Sequence, residues 1–407
     1  MKVAVIGAGA AGLMAAFAAA KNGNAVTVFE KNEKCGKKIY ITGKGRCNVT
    51  HDCSPQEFLQ NVVNNPKFLT GAIYNFSPAD TVEFFESEGL RLKTERGARV
   101  FPASDKASDV TKCLEKACKK YGVIFNFNEK VQKINTLNST ISDIITEKGS
   151  FVFDKAIVCT GGLSYPSTGS DGDGYIFAKA AGHEIVTPEP GLCGLDLRGS
   201  FYKRLQGLTL KNVKLSVFYE DKKIRDFFGE VLFTHFGISG PSVLSVSSLI
   251  NRLDLSKVKL FVDLKPALDH EQLNARLLRD FDGNKNKSIF NCLKELLPVS
   301  MISEVLSRSG IPEDKKVNTV TRNERQSLLT TVKNFDMLVL ALRGFNEAII
   351  TSGGVDVKQI NPKTMESKLV KGLYFCGEVL DLDAFTGGFN LQIAFSTGYA
   401  AGISIKD

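Results

Sequence analysis

A glycine-spaced junction at the N-terminus constrains this chain more than any other feature. Lys2–Ile6 (KVAVI) is short, apolar and β-branched, as a buried strand is, and runs directly into Gly7-Ala8-Gly9-Ala10-Ala11-Gly12. A helix of small residues follows from about Ala10 to Lys21, Gly23 and Asn24 break it, and Ala25–Phe29 forms a second apolar run that ends on Glu30. This spacing predicts a βαβ unit that holds a dinucleotide. Gly7 makes the tight turn, Gly9 lets a pyrophosphate reach the backbone, and Gly12 lets the helix press onto the strand. Ala10 and Ala11 open the helix, whose free N–H groups and positive dipole end face the anion. A carboxylate at Glu30 accepts a hydrogen bond from a ribose hydroxyl and repels a 2′-phosphate, so FAD or NAD is expected and NADP is not. The uncharged run Val3–Ala20 also has the look of a signal peptide or membrane helix. Neither would place three glycines at strand-to-helix spacing and follow them with a strand ending in a carboxylate.

The next segment, residues 31–51, mixes Gly36, Gly43 and Gly45 with Lys31, Lys34, Lys37, Lys38, Lys44 and Arg46. Flexible backbone and positive charge beside the pyrophosphate predict a loop that touches the cofactor. Helices are expected at Pro55–Asn64, Pro78–Gly89 and Lys106–Tyr121, with strands near Leu90–Lys93 and Arg99–Phe101 and a β-meander over Val123–Phe153. Ala156–Cys159 is a further buried strand ending in Thr160-Gly161-Gly162, a second place for close backbone approach. After Pro188-Glu189-Pro190 the composition shifts. Leu192–Tyr219 and Phe227–Phe233 look like strands of a separate module, with a turn at Gly237–Pro241. Helical periods follow at His270–Phe281, Ser288–Leu297, Val299–Ser307 and Arg322–Asn334. Strand character returns at Met337–Leu342 and Glu347–Thr351. The buried strand Gly372–Cys376 meets Gly377-Glu378, and the glycine-rich Thr386–Asn390 opens an apolar helix that runs to about Ile403.

At 407 residues the chain is too long for one core. The expected division is a first part of a dinucleotide domain at 1–190, an insert at 191–335 (β-rich to 265, helical from 266), and the returning part of the domain at 336–407. No later segment is apolar enough to span a membrane. Nine scattered cysteines without a CxxC pair argue against disulfides and against a metal site, and reduced thiols in a cytoplasm account for them simply. The net charge of +8 suits an anionic cofactor and an acidic substrate. Without tryptophan or a basic stripe interleaved with aromatics, no nucleic-acid partner is expected. Oligomeric state has no signature in the sequence. Only one complete GxGxxG unit is present. The glycine-lined stretches 43–48, 160–162 and 377–390 favour the longer cofactor, FAD, with the last helix stabilising negative charge on the reduced ring.

The blocks GAGAAGLMAA (7–16), GKKIYITGKGRCNVT (36–50), RVFPASDKASDV (99–110), TGGLSYPSTGSDGDGY (160–175), GEVLFTHFGISGP (229–241) and GLYFCGEVLDLDAFTGGFNLQIAFSTG (372–398) together resemble the BaiN-like (YhiN-type) FAD-dependent oxidoreductases over essentially the full length. The resemblance implies an α/β fold: a discontinuous Rossmann-like FAD-binding domain with a β-barrel-like insert and a small helical module, and non-covalent FAD. Lys44, in a loop that is often small or glycine-rich, and Ala384, where glycine is common, depart from the pattern.

The cofactor set expected on this basis is Gly7, Gly9, Ala10, Ala11, Gly12, Glu30, Lys31, Lys38, Gly43, Gly45, Arg46, Cys47, Asn48, Val131, Thr160, Gly161, Gly162, Gly377, Glu378, Gly388, Phe389, Asn390 and Leu391. The name-giving member looks like an NADH-dependent reductase of C=C bonds conjugated to a 3-keto group in bile-acid intermediates. Other members look like oxidases of aminoacetone-type amines. A flavin-bearing regulatory or RNA-modification partner is a third alternative. The reductase chemistry needs an acid and an oxyanion-side donor. Tyr165, His235 and Arg46 are the candidates, with Tyr40 and Cys47 behind them. NADH is expected to dock transiently beside a small apolar or acidic substrate.

Overall fold

The computed structural model describes residues 1–406, and these divide into two compact units, residues 1–191 with 344–406, and Leu192–Arg343.

In the first unit the expected βαβ opens a five-stranded parallel sheet. Its strands are β1 (Lys2–Ile6), β2 (Ala25–Glu30), β3 (Ile124–Phe127), β4 (Lys155–Val158) and β5 (Leu373–Phe375), in the order β5-β4-β1-β2-β3. Every neighbouring pair is parallel, so all five carboxyl ends share one edge. In open sheets of this kind ligands bind outside that edge. Helix α1 (Ala10–Lys21) is buried from Ala11 to Ala20, because alanine and glycine let it lie flush on the sheet. Helix α2 (Phe389–Ser404) crosses it closely. A Cβ on Gly398 would sit 2.4 Å from the Ala11 carbonyl oxygen, and one on Gly402 would sit 2.5 Å from the Ala18 methyl. At 1.5 Å of rise per residue the start of α2 therefore lies about 13 Å along its axis from Ala11. The meander expected over Val123–Phe153 begins later: Ile124–Phe127 is β3 of the parallel sheet, and Val131–Leu137, Thr140–Thr146 and Gly149–Val152 form the antiparallel sheet.

The second unit is a closed six-stranded barrel with strand order 195–197, 237–239, 222–233, 209–219, 258–263 and 335–342. Alternation along Val258–Asp263 turns Val258, Leu260 and Val262 inward. Helices His270–Gly283, Val299–Ser309 and Arg322–Lys333 share the barrel's hydrophobic core through Leu273, Leu277, Ile302, Val305 and Leu328.

Several local expectations are corrected. Phe335–Leu342 closes the barrel, so this unit extends to Arg343 and not to 335. The helix expected at Pro55–Asn64 stops at Leu59, Val62–Asn64 is a strand, and Pro66–Asn75 is a helix that begins on a left-handed Asn65 without a side-chain cap. The turn near Gly237 is a strand followed by helix Pro241–Ile250. Ser288–Leu297 is broken into Ile289–Cys292 and a 3-10 turn. The strand expected at Glu347–Thr351 is Ile350–Val355, and the loop after Glu30 holds a short helix, Lys37–Ile41.

Candidate active site

The first unit gathers the glycine-lined segments at the carboxyl edge of its sheet. Gly7 adopts φ 100°, and a Cβ there would lie 2.6 Å from the Cys159 carbonyl oxygen, so the β1 turn packs directly against the end of β4. A Cβ on Gly12 would lie 1.9 Å from the Gly7 carbonyl oxygen. Gly9 differs: nothing lies within 4 Å of the position its Cβ would take. It caps α1 without a side-chain hydrogen bond, and no acidic residue occupies the first turn. Space and unsatisfied N–H groups thus coincide at the point where a pyrophosphate would sit. The start of α2 repeats the arrangement, with Gly388 at the N-cap, no capping side chain and no acid in the first turn.

Glu30 is buried at the end of β2. Its Oε2 accepts from Ala8 N at 2.8 Å and its Oε1 from both nitrogens of Asn32 at 2.8 Å, which fixes the carboxylate beside the glycine turn. Val131 is buried two residues beyond Glu129, whose N–H bonds the Glu30 carbonyl.

A second cluster joins segments far apart in the sequence. Lys38 Nζ lies 2.8 Å from both Glu378 oxygens and 2.6 Å from Ser164 Oγ. Ser164 Oγ also donates to Glu378 Oε1 at 2.8 Å, and Thr351 N donates to the same oxygen at 3.2 Å. Thr351 Oγ1 accepts from Leu163 N and Ser164 N, and it lies so close to Gly162 that a Cβ there would meet it at 2.4 Å. Gly377 N donates to Thr397 Oγ1 of α2 at 3.0 Å. Ser164 and Thr351 were not among the expected site residues. Ser164 follows the glycine pair closely enough to have been suspected, whereas Thr351 carries no local signal.

The basic loop behaves differently from its charge pattern. Arg46 donates to Asp105 at 2.7 Å and to Glu95, and lies 4.3 Å over the Phe101 ring. These two carboxylates, Glu95 foremost, raise the guanidinium pKa. Lys31 pairs with Asp171 at 2.6 Å and Asp173 at 2.9 Å. Gly43, Lys44, Gly45 and Cys47 all have positive φ, so the backbone winds tightly here. Cys47 is fully buried and its thiol is pushed up to about 12 by burial, which makes it inert at neutral pH. Asn48 Oδ1 is buried without a partner among the described residues, and so is the Tyr175 hydroxyl. Burial, with Glu378 and Asp381 nearby, raises the Tyr175 pKa. Orphaned polar atoms of this kind fit a bound polar ligand. Asn390 instead spends its amide on the Ala384 backbone, accepting at 2.9 Å and donating at 2.8 Å.

Residues 1–404 match the family described as HI0933-like protein Rossmann domain. The chain belongs to this family. It is the group of flavoprotein oxidoreductases to which the six sequence blocks point. The chain is 30% identical over 406 residues to 3-dehydro-bile acid delta(4,6)-reductase of Clostridium scindens, covering 98% of each chain. It is also 30% identical over 414 residues to ribosomal RNA dihydrouridine synthase of Haemophilus influenzae, covering 99% of this chain and 98% of the relative. Among solved structures, 3-ketosteroid-delta4-(5alpha)-dehydrogenase of Rhodococcus jostii RHA1 has a TM-score of 0.55 at 15% identity over 99% of this chain and 96% of that one, a likeness of fold.

Of the three expected catalytic candidates, Tyr165 and Arg46 lie in the FAD-type unit of this family member. Tyr165 holds a left-handed conformation, φ 52° and ψ 60°, with its N–H on Phe345 O at 3.1 Å. Non-glycine residues held this way cluster at functional sites. His235 belongs to the second unit, exposed on a turn and edge-on to Phe236 at 5.1 Å.

Proposed function

We propose that this protein is an FAD-dependent reductase that saturates a carbon–carbon double bond conjugated to a carbonyl group. Two unguarded helix starts about 13 Å apart along α2 support one long dinucleotide over a short one, and this spacing carries the choice of FAD. Gly7, Gly9 and Gly12 would admit the pyrophosphate, Glu30 the adenosine ribose, Glu378 and Lys38 the linking polyol, and the N–H groups of Phe389–Leu391 the far end of the ring system. When bound, the flavin supplies hydride transfer. The chain's own task is to orient the substrate carbonyl, exclude water and deliver a proton to the α-carbon. Tyr165 is assigned that proton, because it holds a left-handed backbone conformation directly after Ser164, which bonds Glu378. Arg46 serves as a strut between Glu95 and Asp105.

The names of the two relatives describe the same bond chemistry on different molecules, since dihydrouridine is uridine with its C5–C6 bond saturated next to a carbonyl. The first reading takes a bile-acid or steroid-like 3-oxo substrate, with NADH docking transiently as hydride donor. A second, the uracil ring of an RNA, is favoured by the charge distribution. Residues 192–343 hold 24 lysines and arginines against 17 aspartates and glutamates, so +7 of the chain's +8 lies in the barrel unit. The test is anaerobic NADH oxidation by the FAD-loaded protein, offered either a 3-oxo-Δ4 steroid acid or a ribosomal RNA transcript. Product mass spectrometry seeks a gain of two hydrogens. Flavin bleaching by an amine alone, with neither substrate reduced, would overturn the proposal in favour of an amine oxidase.

A further inference from the structure

One two-residue strand clamps the start of α2. Thr50–His51 pairs antiparallel with Arg99 and Val100. The buried Thr50 donates its hydroxyl to Gln392 Oε1 at 2.6 Å, and a Cβ on Gly388 would meet the Thr50 carbonyl oxygen at 2.5 Å. His51 stacks on Phe389 with centroids 4.5 Å apart and planes 23° from parallel. Its Nδ1 lies 3.1 Å from the carbonyl oxygen of Gly387. A carbonyl oxygen only accepts, so Nδ1 carries hydrogen in the neutral and the charged ring alike. Nε2 is therefore the atom that gains or loses the proton. The turn it anchors is Gly387 (φ 124°) and Gly388 (φ 97°), a conformation that side chains rarely adopt and that needs outside support.

We infer that His51 is a positioning residue of the flavin site. It fixes the Gly387–Gly388 turn through Nδ1, and it places a titratable charge beside the first turn of α2, so that its protonation is linked to cofactor reduction. This rests on the FAD reading above. Negative charge accumulating at that helix start favours the protonated ring, and by reciprocity the protonated ring favours reduction. Asp52 follows His51 in the chain, Glu57 lies on helix Pro55–Leu59, and Arg99 stands opposite across the strand pair. Glu57 is held below the usual carboxylate range by its bonds from Ser54, with the His51 charge a smaller contribution. The first turn of α2 adds no acid.

The test is a dye-coupled reductive titration of the FAD-loaded protein across about pH 5–8, where imidazoles titrate, with FAD affinity measured by fluorescence. The wild type should take up one more proton per two electrons within part of that range than at its alkaline end. His51→Asn can still donate to Gly387 O but does not titrate. It should bind FAD within about twofold of wild type and lose the extra proton. His51→Phe keeps the stack, loses the hydrogen bond, and should bind about fivefold more weakly. If His51→Phe fails to fold, His51→Asn alone decides. The same pH dependence in wild type and His51→Asn overturns the inference while leaving the FAD reading intact. Failure of the wild type to bind FAD overturns both.

Discussion

Gly9→Ala and Gly12→Ala separate a glycine that serves the ligand from one that serves the fold. At Gly12 the new methyl would sit 1.9 Å from the Gly7 carbonyl oxygen and 3.3 Å from Cys159 Cβ. Neither the turn nor the end of β4 can retreat without breaking strand pairing. Overpacking of this kind costs about 1–3 kcal/mol, and a rigid backbone oxygen puts Gly12→Ala at the upper end. Replacing a glycine within a helix, here in its first turn, returns at most about 1 kcal/mol. The net loss of about 2 kcal/mol corresponds to a fall in Tm of about 4–8 °C, and FAD binding should fail with it. At Gly9 there is open space and φ is −79°, which alanine accepts. The entropy gained by the substitution, about 0.4–1 kcal/mol, offsets the poorer N-cap, about 0.5–1 kcal/mol. The apoprotein should therefore melt within about 2 °C of wild type. FAD affinity should nonetheless drop about 10- to 100-fold, because the methyl occupies the pyrophosphate's place. Thermal melts of apoprotein and FAD titration by fluorescence quenching read both effects. Wild-type FAD affinity in Gly9→Ala, or equal melting losses in the two variants, would refute this division of roles.

Lys38→Met should lower the apoprotein Tm by only about 2–4 °C, since the Lys38–Glu378 pair is partly exposed and Glu378 keeps Ser164 and Thr351 N. Melts in low and high salt check this, and a loss above 10 °C would mean that the pair is a structural keystone. Glu324 is held at about 2, from its usual 4.5, chiefly by Lys315 and then by the Thr321 N–H. Its folded value lies below the unfolded one, so its stabilisation is present above about pH 4.5 and lost as pH falls toward 2. Glu324→Gln should flatten that acid limb in urea unfolding measured between those pH values. Burial pushes Cys35 and Cys47 up to about 12, while the half-buried Cys53 reaches about 11. Disulfide reagents at mild alkaline pH should therefore modify Cys53 first in the native protein, which peptide mapping would show. Early labelling of Cys47 would contradict its burial.

Strands β1, β4 and β5 were legible because they are short, apolar and run into glycines, and β2 and α1 because no other motif spaces three glycines between two such strands. Strand β3 was not, since Ile124–Phe127 is half-exposed, runs into no glycine and reads as part of the meander that follows it. The barrel's last strand was misassigned for a topological reason. Met337–Leu342 has strand character, but nothing local reveals that Phe335–Leu342 pairs with Val258–Asp263 and Leu195–Leu197. Helix Pro241–Ile250 escaped because PSVLSVSSLI is apolar or serine on every side, so no helical period shows. Helix Pro66–Asn75 was overlooked although Asn65-Pro66 is a helix-start pair, because the helix expected at Pro55–Asn64 ran up to it, where the chain instead forms the strand Val62–Asn64. At the site, Glu30 could be named from motif and spacing, and Lys38 and Glu378 from the segments that carry the family resemblance. Their fixing partners Asn32, Ser164 and Thr351 depend on the folded register, as does the contact between His51 and Gly387.

The same limit explains the basic loop and yields a last prediction. Lysines and arginines beside a phosphate cradle read in the sequence as anion ligands, yet five of the six in this loop, all but Lys44, hold another partner. Lys31 pairs with Asp171 and Asp173, Lys37 with Glu33, Lys38 with Glu378, and Arg46 with Glu95 and Asp105, while Lys34 lies over the Tyr40 ring. Positive potential at the cradle then comes mainly from the unsatisfied N–H groups that begin α1, fixed partial charges at close range that salt screens poorly. FAD affinity should accordingly change less than about threefold from low to about 0.5 M salt, where mobile lysines acting through solvent would lose most of their attraction. A decline beyond tenfold in equilibrium titrations would mean that binding releases Lys31 or Lys38 from its carboxylate and recruits it to the pyrophosphate. The paired lysines would then be ligands held in reserve and not struts of the loop.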